Sequence, residues 1–288
     1  MEPSISEQLI YSTVRIECEY VDGSKGTGTG FFYKFFDTDT SSVPVIITNK
    51  HVIKDASYGK LVFTTITDDD ELLDNHHFII RMAGFEAAWF NHPDIDVDLC
   101  AMPLIHCWNE AKKVNKTLFY APLGKQLIPN QEDLNNMFAL EEILMIGYPN
   151  GIWDSVNNKP LLRRGITATH PKFDYNGKKE IMIDAACFPG SSGSPVFLFN
   201  EHSYFDRKTG RLIAGTRMIL LGVLYAGPQH TAQGDIEIIN IPTGQKPVAI
   251  SRIPNNLGLV IKSERILELE KHFEHFINVI IPQQLPKI

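Results

Sequence analysis

A chain of 288 residues with 43% hydrophobic and 21% charged side chains has the composition of a globular protein and excludes a wholly disordered one. At ~150 residues per domain it holds one or two domains. Its 27 basic and 34 acidic residues leave a net charge of −7, so no basic field invites nucleic acid or an anionic membrane.

The amino terminus, MEPSISEQLIYSTVRIECEY, has no basic head followed by an apolar run, and no signal peptide is expected. No stretch reaches the ~18 apolar residues of a membrane helix. Cys18, Cys100, Cys107 and Cys187 stand far apart, with no disulfide framework and no Cys-x-x-Cys clip. Reduced thiols and a cytoplasmic protein are the expectation.

Along the chain, short runs rich in β-branched and aromatic residues read as strands: STVRIECEYV, GFFYKFF, VPVIITN, KLVFTTI, HHFIIRM, EILMIGY, KEIMIDAA, SPVFLF, RMILLGVLYAG and LGLVIK. Asp22-Gly23, Asn176-Gly177 and the segment 206–211 supply hairpin turns between them. Ten or so strands with few helices predict barrels or sandwiches rather than a parallel sheet. Residues 107–136 are the most polar and least strand-like, a connector between two β-rich halves, 1–106 and 137–262. The final segment, 263–288, opens with a helix that Ser263 can cap and that carries Ile266, Leu269, Phe273, Phe276 and Ile277 on one stripe. Docking of that stripe on the second half is expected.

The sharpest local feature is Pro189-Gly190-Ser191-Ser192-Gly193-Ser194-Pro195 between two strands. Flanked by Gly190 and Gly193, Ser192 can expose its hydroxyl while its own amide and that of Gly190 converge, as an oxyanion requires. Serine is a weak nucleophile and needs a base held by a carboxylate. His51 stands at the tip of the apolar strand in ITNKHVI. The alternation from Asp94 to Leu99 predicts a strand with Asp94, Asp96 and Asp98 on one face.

Other features carry less. Gly26-Thr27-Gly28-Thr29-Gly30 leads into an aromatic strand rather than opening a helix, so it is no phosphate loop. The acidic run from Asp68 to Glu71 lacks the glycine and final glutamate of a calcium loop. His76 and His77 are adjacent and face opposite ways on a strand, a poor metal pair. Arg163 and Arg164 read as a solvated strand edge.

In these motifs the chain resembles the trypsin-like (chymotrypsin-fold) serine proteases, closest to the bacterial high-temperature-requirement, or Deg-type, enzymes but without room for their PDZ module. GTGTGFF (26–32), ITNKHVI (47–53), DLCAMPL (98–104), IGYPNG (146–151), RRGITAT (163–169) and DAACFPGSSGSPV (184–196) follow one another in the family's order. The resemblance implies an all-β fold of two antiparallel six-stranded β-barrels with a C-terminal helix. It selects Asp98 as the catalytic acid, giving a His51, Asp98, Ser192 triad with an oxyanion hole from Gly190 and Ser192. A peptide or protein substrate is implied, and no cofactor or metal.

Departures from the family set further expectations. Ser191 stands where digestive relatives carry the Asp that pairs with a new amino terminus, so that activation route looks absent. Narrow specificity, or a regulatory partner that orders the nucleophile loop, is expected instead. Ser194 resembles the staphylococcal glutamyl endopeptidases. A cysteine protease of this fold would place its thiol at 192, and Cys187 lies five residues too early. The resemblance builds the specificity pocket from Ala186, Cys187, Leu224, Tyr225, Ala226 and Gly227, uncharged and suited to a small or apolar residue. A family member that has lost its activity and survives as a binding module is the alternative.

Overall fold

The computed structural model describes residues 3–38, 40–67, 69, 71–227 and 256–275 in full, and the backbone of 229–235 and 248–254. After a short helix α1 (Ile5–Leu9), the first half is built from β1 (Thr13–Glu19), β2 (Lys25–Phe35), β3 (Val43–Thr48), β4 (Tyr58–Ile66), β5 (Leu72–Ala83), β6 (Phe90–Asn91), β7 (Cys100–Pro103) and β8 (Thr117–Phe119). Helices α2 (Lys50–Ile53), α3 (Ile105–Lys113) and α4 (Gln131–Asn136) interrupt or follow these strands. The second half holds β9 (Glu142–Gly147), β10 (Leu161–Thr167), β11 (Glu180–Asp184), β12 (Pro195–Asn200), β13 (Ser203–Asp206), β14 (Arg211–Ala214), β15 (Arg217–Ala226), β16 (Gln229–Asp235), β17 (Val248–Pro254) and β18 (Leu257–Lys262). Helix α5 (Glu264–His275) follows.

The protein is mostly β. Strands β10-β11-β18-β15-β12-β9 close into a six-stranded barrel, and every pair in it is antiparallel. Closure leaves no unpaired edge. Of the two expected six-stranded barrels only this one is found closed among the described residues, and the first half departs from the expectation. Its eight strands run β5-β4-β1-β2-β3-β7-β6, with β8 against β4, and the sheet is not closed among the described residues. Its two end strands are unequal: β6 has two residues and β5 has twelve.

Three apolar clusters organise the packing. Val14, Ile16, Phe32, Ile46, Phe63 and Phe85 belong to the core of the first sheet. Met145, Ile181, Ile183, Val196, Leu198 and Val260 fill the closed barrel. A third cluster joins the halves: Phe31, Tyr33 and Ile47 meet Ile146, Phe197 and Ile261. Burying a side chain of this size contributes about 1.5–3 kcal/mol, so the seam is itself a core.

Helix α5 buries Ile266, Leu269 and Phe273 as its stripe predicts; Phe276 and Ile277 lie outside the described residues. Rather than resting on the barrel alone, it lies across the seam, with Phe273 against Phe35 at 5.8 Å and Phe90 at 5.2 Å between ring centroids. Aromatic residues supplied by the first half make that the larger apolar landing site. The turns fall where the sequence put them, with left-handed backbone at Gly23, Asn176, Gly177 and Gly210.

Candidate active site

His51 sits in the first turn of α2, directly after β3. On this four-residue helix Val52 and Ile53 are buried in the first core, which turns His51 outward. The glycine pattern of β2 permits that packing: a Cβ on Gly28 would lie 2.3 Å from Val52 Cγ1. Asp98 holds the histidine at two points. Its Oδ1 accepts from the His51 backbone amide at 3.0 Å, and its Oδ2 lies 2.5 Å from His51 Nδ1. With the carboxylate at Nδ1, the ring proton belongs there and Nε2 keeps its lone pair. Buried Asn49 donates from Nδ2 to the Asp98 carbonyl at 2.7 Å and fixes the aspartate's backbone in turn.

The alternating aspartates do not share a strand face, because the segment from Asp94 to Leu99 is a turn. Asp94 Oδ1 accepts the Asp96 amide at 3.0 Å and the Asp94 carbonyl accepts the Val97 amide at 3.2 Å. An aspartate that captures the amide two residues on competes with extended pairing, and here it wins. Asp94 Oδ2 lies 3.6 Å from Arg265 on α5, and its carbonyl takes the Lys50 ammonium at 3.0 Å. Of the three carboxylates, only Asp98 has a hydrogen bond to His51. His92, which no sequence pattern singles out, is buried beneath this turn and accepts the Asp94 amide on Nδ1. Burial pushes its pKa down.

Ser192 lies on a turn whose geometry follows from its residues. The Ser191 amide donates to the Phe188 carbonyl at 3.0 Å, and Gly190 between them has φ +86°. Proline at the second position cannot adopt positive φ, so the turn is type II, the form that wants glycine third. The Pro189 carbonyl accepts from the Asn150 amide at 2.5 Å. Across a trans peptide the Gly190 N–H therefore points the opposite way. Neither that amide nor the amide of Ser192 finds an acceptor among the described residues. Two neighbouring free donors beside a half-buried serine are what a developing oxyanion needs. The Ser191 hydroxyl is buried and has no partner among the described residues.

The two parts are linked through Thr29 of β2, which sequence reasoning missed. Its amide donates to the Ser192 carbonyl at 2.9 Å, and its carbonyl accepts from the Thr48 hydroxyl at 2.7 Å. Thr48 ends the strand that leads into His51. Beside Ser192 opens a cleft of about 150 Å³ lined by Cys187, Phe188, Pro189, Ser192, Leu224, Tyr225, Ala226 and Gly227. Five of the six expected pocket residues line it, and Ala186 does not.

The Cys187 thiol and Leu224 meet over Gly258, where a Cβ would come within 2.5 Å of Sγ and 2.7 Å of Cδ1. Burial pushes the Cys187 thiol up to about 11. Burial first, then Glu180 and more weakly Asp98, raises the Tyr225 phenol. Both groups are neutral near pH 7. Behind Phe188, Arg163 stacks at 5.0 Å from the ring. It is half-buried in the closed barrel rather than on a solvated edge; only Arg164, paired with Glu142, is solvent-exposed.

The acidic run expected to be a solvated loop includes Asp68 and Asp70, which lie outside the described residues. His77 instead binds the Val156 carbonyl through Nε2 at 3.0 Å. Among the described residues no three His, Cys, Asp or Glu side chains gather as a metal would require. All four cysteines are free and buried. No helix among the described residues is long and apolar enough to cross a membrane.

The signature of the trypsin-like peptidase domain matches residues 28–203, more than half of the chain, from within β2 through β12. The chain belongs to the trypsin-like peptidase family. Among solved structures it is similar to the HtrA-type protease AlgW with tripeptide, at 15% identity and TM-score 0.49 over 96% of this chain and 64% of that one. It is also similar to the active form of the Rv3671c protease from M. tuberculosis (14% identity, TM-score 0.44, 92% of this chain and 81% of that one). Deg5 is a third, at 18% identity and TM-score 0.42 over 76% of this chain and 81% of that one. The chain thus spans less than two thirds of the AlgW chain's length. No curated protein matches it.

Proposed function

We propose that this protein is a serine endopeptidase in which His51, Asp98 and Ser192 act as a triad. One observation carries the reading: the carboxylate of Asp98 holds both the amide and Nδ1 of His51, while the amides of Gly190 and Ser192 have no acceptor among the described residues. In the mechanism, His51 Nε2 takes the proton of Ser192 Oγ as that oxygen attacks a peptide carbonyl. The electron pair displaced onto the carbonyl oxygen is stabilised by the Gly190 and Ser192 amides. A comparable single donor is worth about 2.7–4 kcal/mol. Collapse expels the amine, which takes the proton back from His51 and leaves an acyl-serine. Water, deprotonated by the same histidine, then releases the acid. Asp98 stabilises the imidazolium in both halves of the cycle.

The cleft beside Ser192 favours a small or apolar residue before the scissile bond. Its thiol and phenol are neutral, and an unpaired charge buried there would cost more than the ~1.5–3 kcal/mol an aliphatic side chain gains. Four buried free thiols support a reducing compartment such as the cytoplasm. The turn leaves its donors free in the isolated chain, which favours narrow specificity over a partner as the restraint on activity. A proteome-wide cleavage profile comparing the protein with Ser192→Ala tests the reading. Cuts after Val, Ala or Leu that vanish in the variant are expected. No serine-dependent cuts would leave a binding module. Cuts after Glu would overturn the pocket assignment and point to Arg163 behind Phe188.

A further inference from the structure

Thr29 is fully buried, and all four of its polar capacities are in use. Besides the backbone bonds to Ser192 and Thr48, its hydroxyl donates to the Gly190 carbonyl at 3.0 Å and accepts from the Tyr148 amide at 3.1 Å. Between consecutive peptide planes a chain has only two soft torsions, and glycine is the least restrained of residues. The oxyanion turn is therefore only as fixed as the hydrogen bonds on its peptide planes. Four planes run from Pro189 to Gly193. The first is held by the Asn150 amide on the Pro189 carbonyl, and the third by the Ser194 amide on the Ser191 carbonyl. The other two are each held at both edges: the second by the Ser191 amide on the Phe188 carbonyl and by the Thr29 hydroxyl on the Gly190 carbonyl, the fourth by the Gly193 amide on the Leu224 carbonyl and by the Thr29 amide on the Ser192 carbonyl.

We propose that Thr29 is a positioning residue for the oxyanion turn: its hydroxyl, delivered from the first half of the molecule, fixes the Gly190 peptide so that the Gly190 and Ser192 amides stay free for the reacting carbonyl. The inference rests on the reading of Ser192 as nucleophile. Packing alone does not require the hydroxyl, since valine has the same shape. Thr29→Val would leave the Gly190 carbonyl without its donor and the Tyr148 amide without its acceptor, whereas Thr29→Ser keeps both bonds.

The test measures labelling of the full chain by a fluorophosphonate-rhodamine probe at saturating and sub-saturating concentration, with thermal melting alongside. In Thr29→Val the maximal labelling rate should fall about 10–100-fold, as a displaced catalytic group would cause, with half-saturation unchanged. Thr29→Ser should return it close to that of the unmodified protein. A crystal structure of Thr29→Val should show the Gly190–Ser191 peptide rotated. If Thr29→Val does not fold, Thr29→Ala removes the same hydroxyl without forcing in a branched apolar group. Labelling of the folded hydroxyl-free variant at the unmodified rate, or Thr29→Ser as slow as it, would overturn the proposal while leaving the nucleophile intact. Failure of the unmodified protein to label would instead overturn the nucleophile reading itself.

Discussion

The His51–Asp98 pair and the Ser192 turn are held in opposite ways. The pair is built within one half: Asn49 holds the Asp98 carbonyl, the His51 amide meets the Asp98 carboxylate, and Lys50 ties the neighbouring Asp94 carbonyl. The serine turn has two bonds of its own, from the Ser191 amide to Phe188 and from the Ser194 amide to Ser191, and takes the rest from outside its strand-to-strand connection: from Asn150, from the Leu224 carbonyl on the Gly193 amide, and from Thr29, which lies 161 residues from Gly190 in the chain. A base and its acid need one distance fixed, and local contacts suffice. An oxyanion site needs several peptide planes oriented at once, and a glycine-rich turn cannot do that unaided. The closed barrel frames the turn, and Thr29 of the first sheet reaches across to finish it.

The largest effect that sharpens this contrast is removal of either reacting side chain. Ser192→Ala and His51→Ala should each lower turnover of a library-selected peptide by about 10⁶-fold, and the double variant no further, because residues acting as a unit are not additive. Losses that multiply would break the unit. Next, Asp98→Asn should cost about 10⁴-fold by misorienting the imidazole, whereas Asp94→Asn and Asp96→Asn stay within about threefold. Damage from Asp96→Asn would mean that the turn is read one pair out of place.

In the barrel, Arg217 and Glu141 form an ion pair at 2.5 Å with side-chain exposures of 13% and 5%. Arg217→Ala strands a buried carboxylate and should lower unfolding free energy by about 3–5 kcal/mol in denaturant titration. Arg164→Ala, whose pair is mostly in solvent, should cost at most about 1 kcal/mol. Equal costs would contradict the burial assigned to the barrel. Last, Gly190→Ala should reduce turnover about 10²–10³-fold, because its Cβ would meet the Tyr148 carbonyl at 2.6 Å in a left-handed turn. Gly177→Ala, at φ +76° with nothing within 4 Å, should leave turnover alone.

How much of this was legible in the chain follows the same division. The strands, the turns, His51 after an apolar run and Ser192 between glycines are local patterns, and local patterns are what a sequence displays. The alternation from Asp94 to Leu99 misled because an aspartate that bonds its own backbone mimics a strand's period while bending the chain. Closure of one sheet and not the other depends on which distant strands meet, and period-two patterning is silent on that. Thr29, Asn150 and His92 were invisible because each acts on a segment far away or under a turn. A buried threonine in a glycine–threonine alternation that leads into an aromatic strand looks like one more strand former. Only the Gly190 carbonyl beside it reveals its use.

Ser192, and no other hydroxyl or thiol, should be the group that His51, held on Asp98, activates. Incubating the purified protein with a fluorophosphonate and locating the adduct by peptide mass spectrometry tests it most directly. A single adduct on Ser192, formed by the unmodified protein and absent from His51→Ala, is the predicted result. No adduct, an adduct on another residue, or equal labelling of His51→Ala would contradict it.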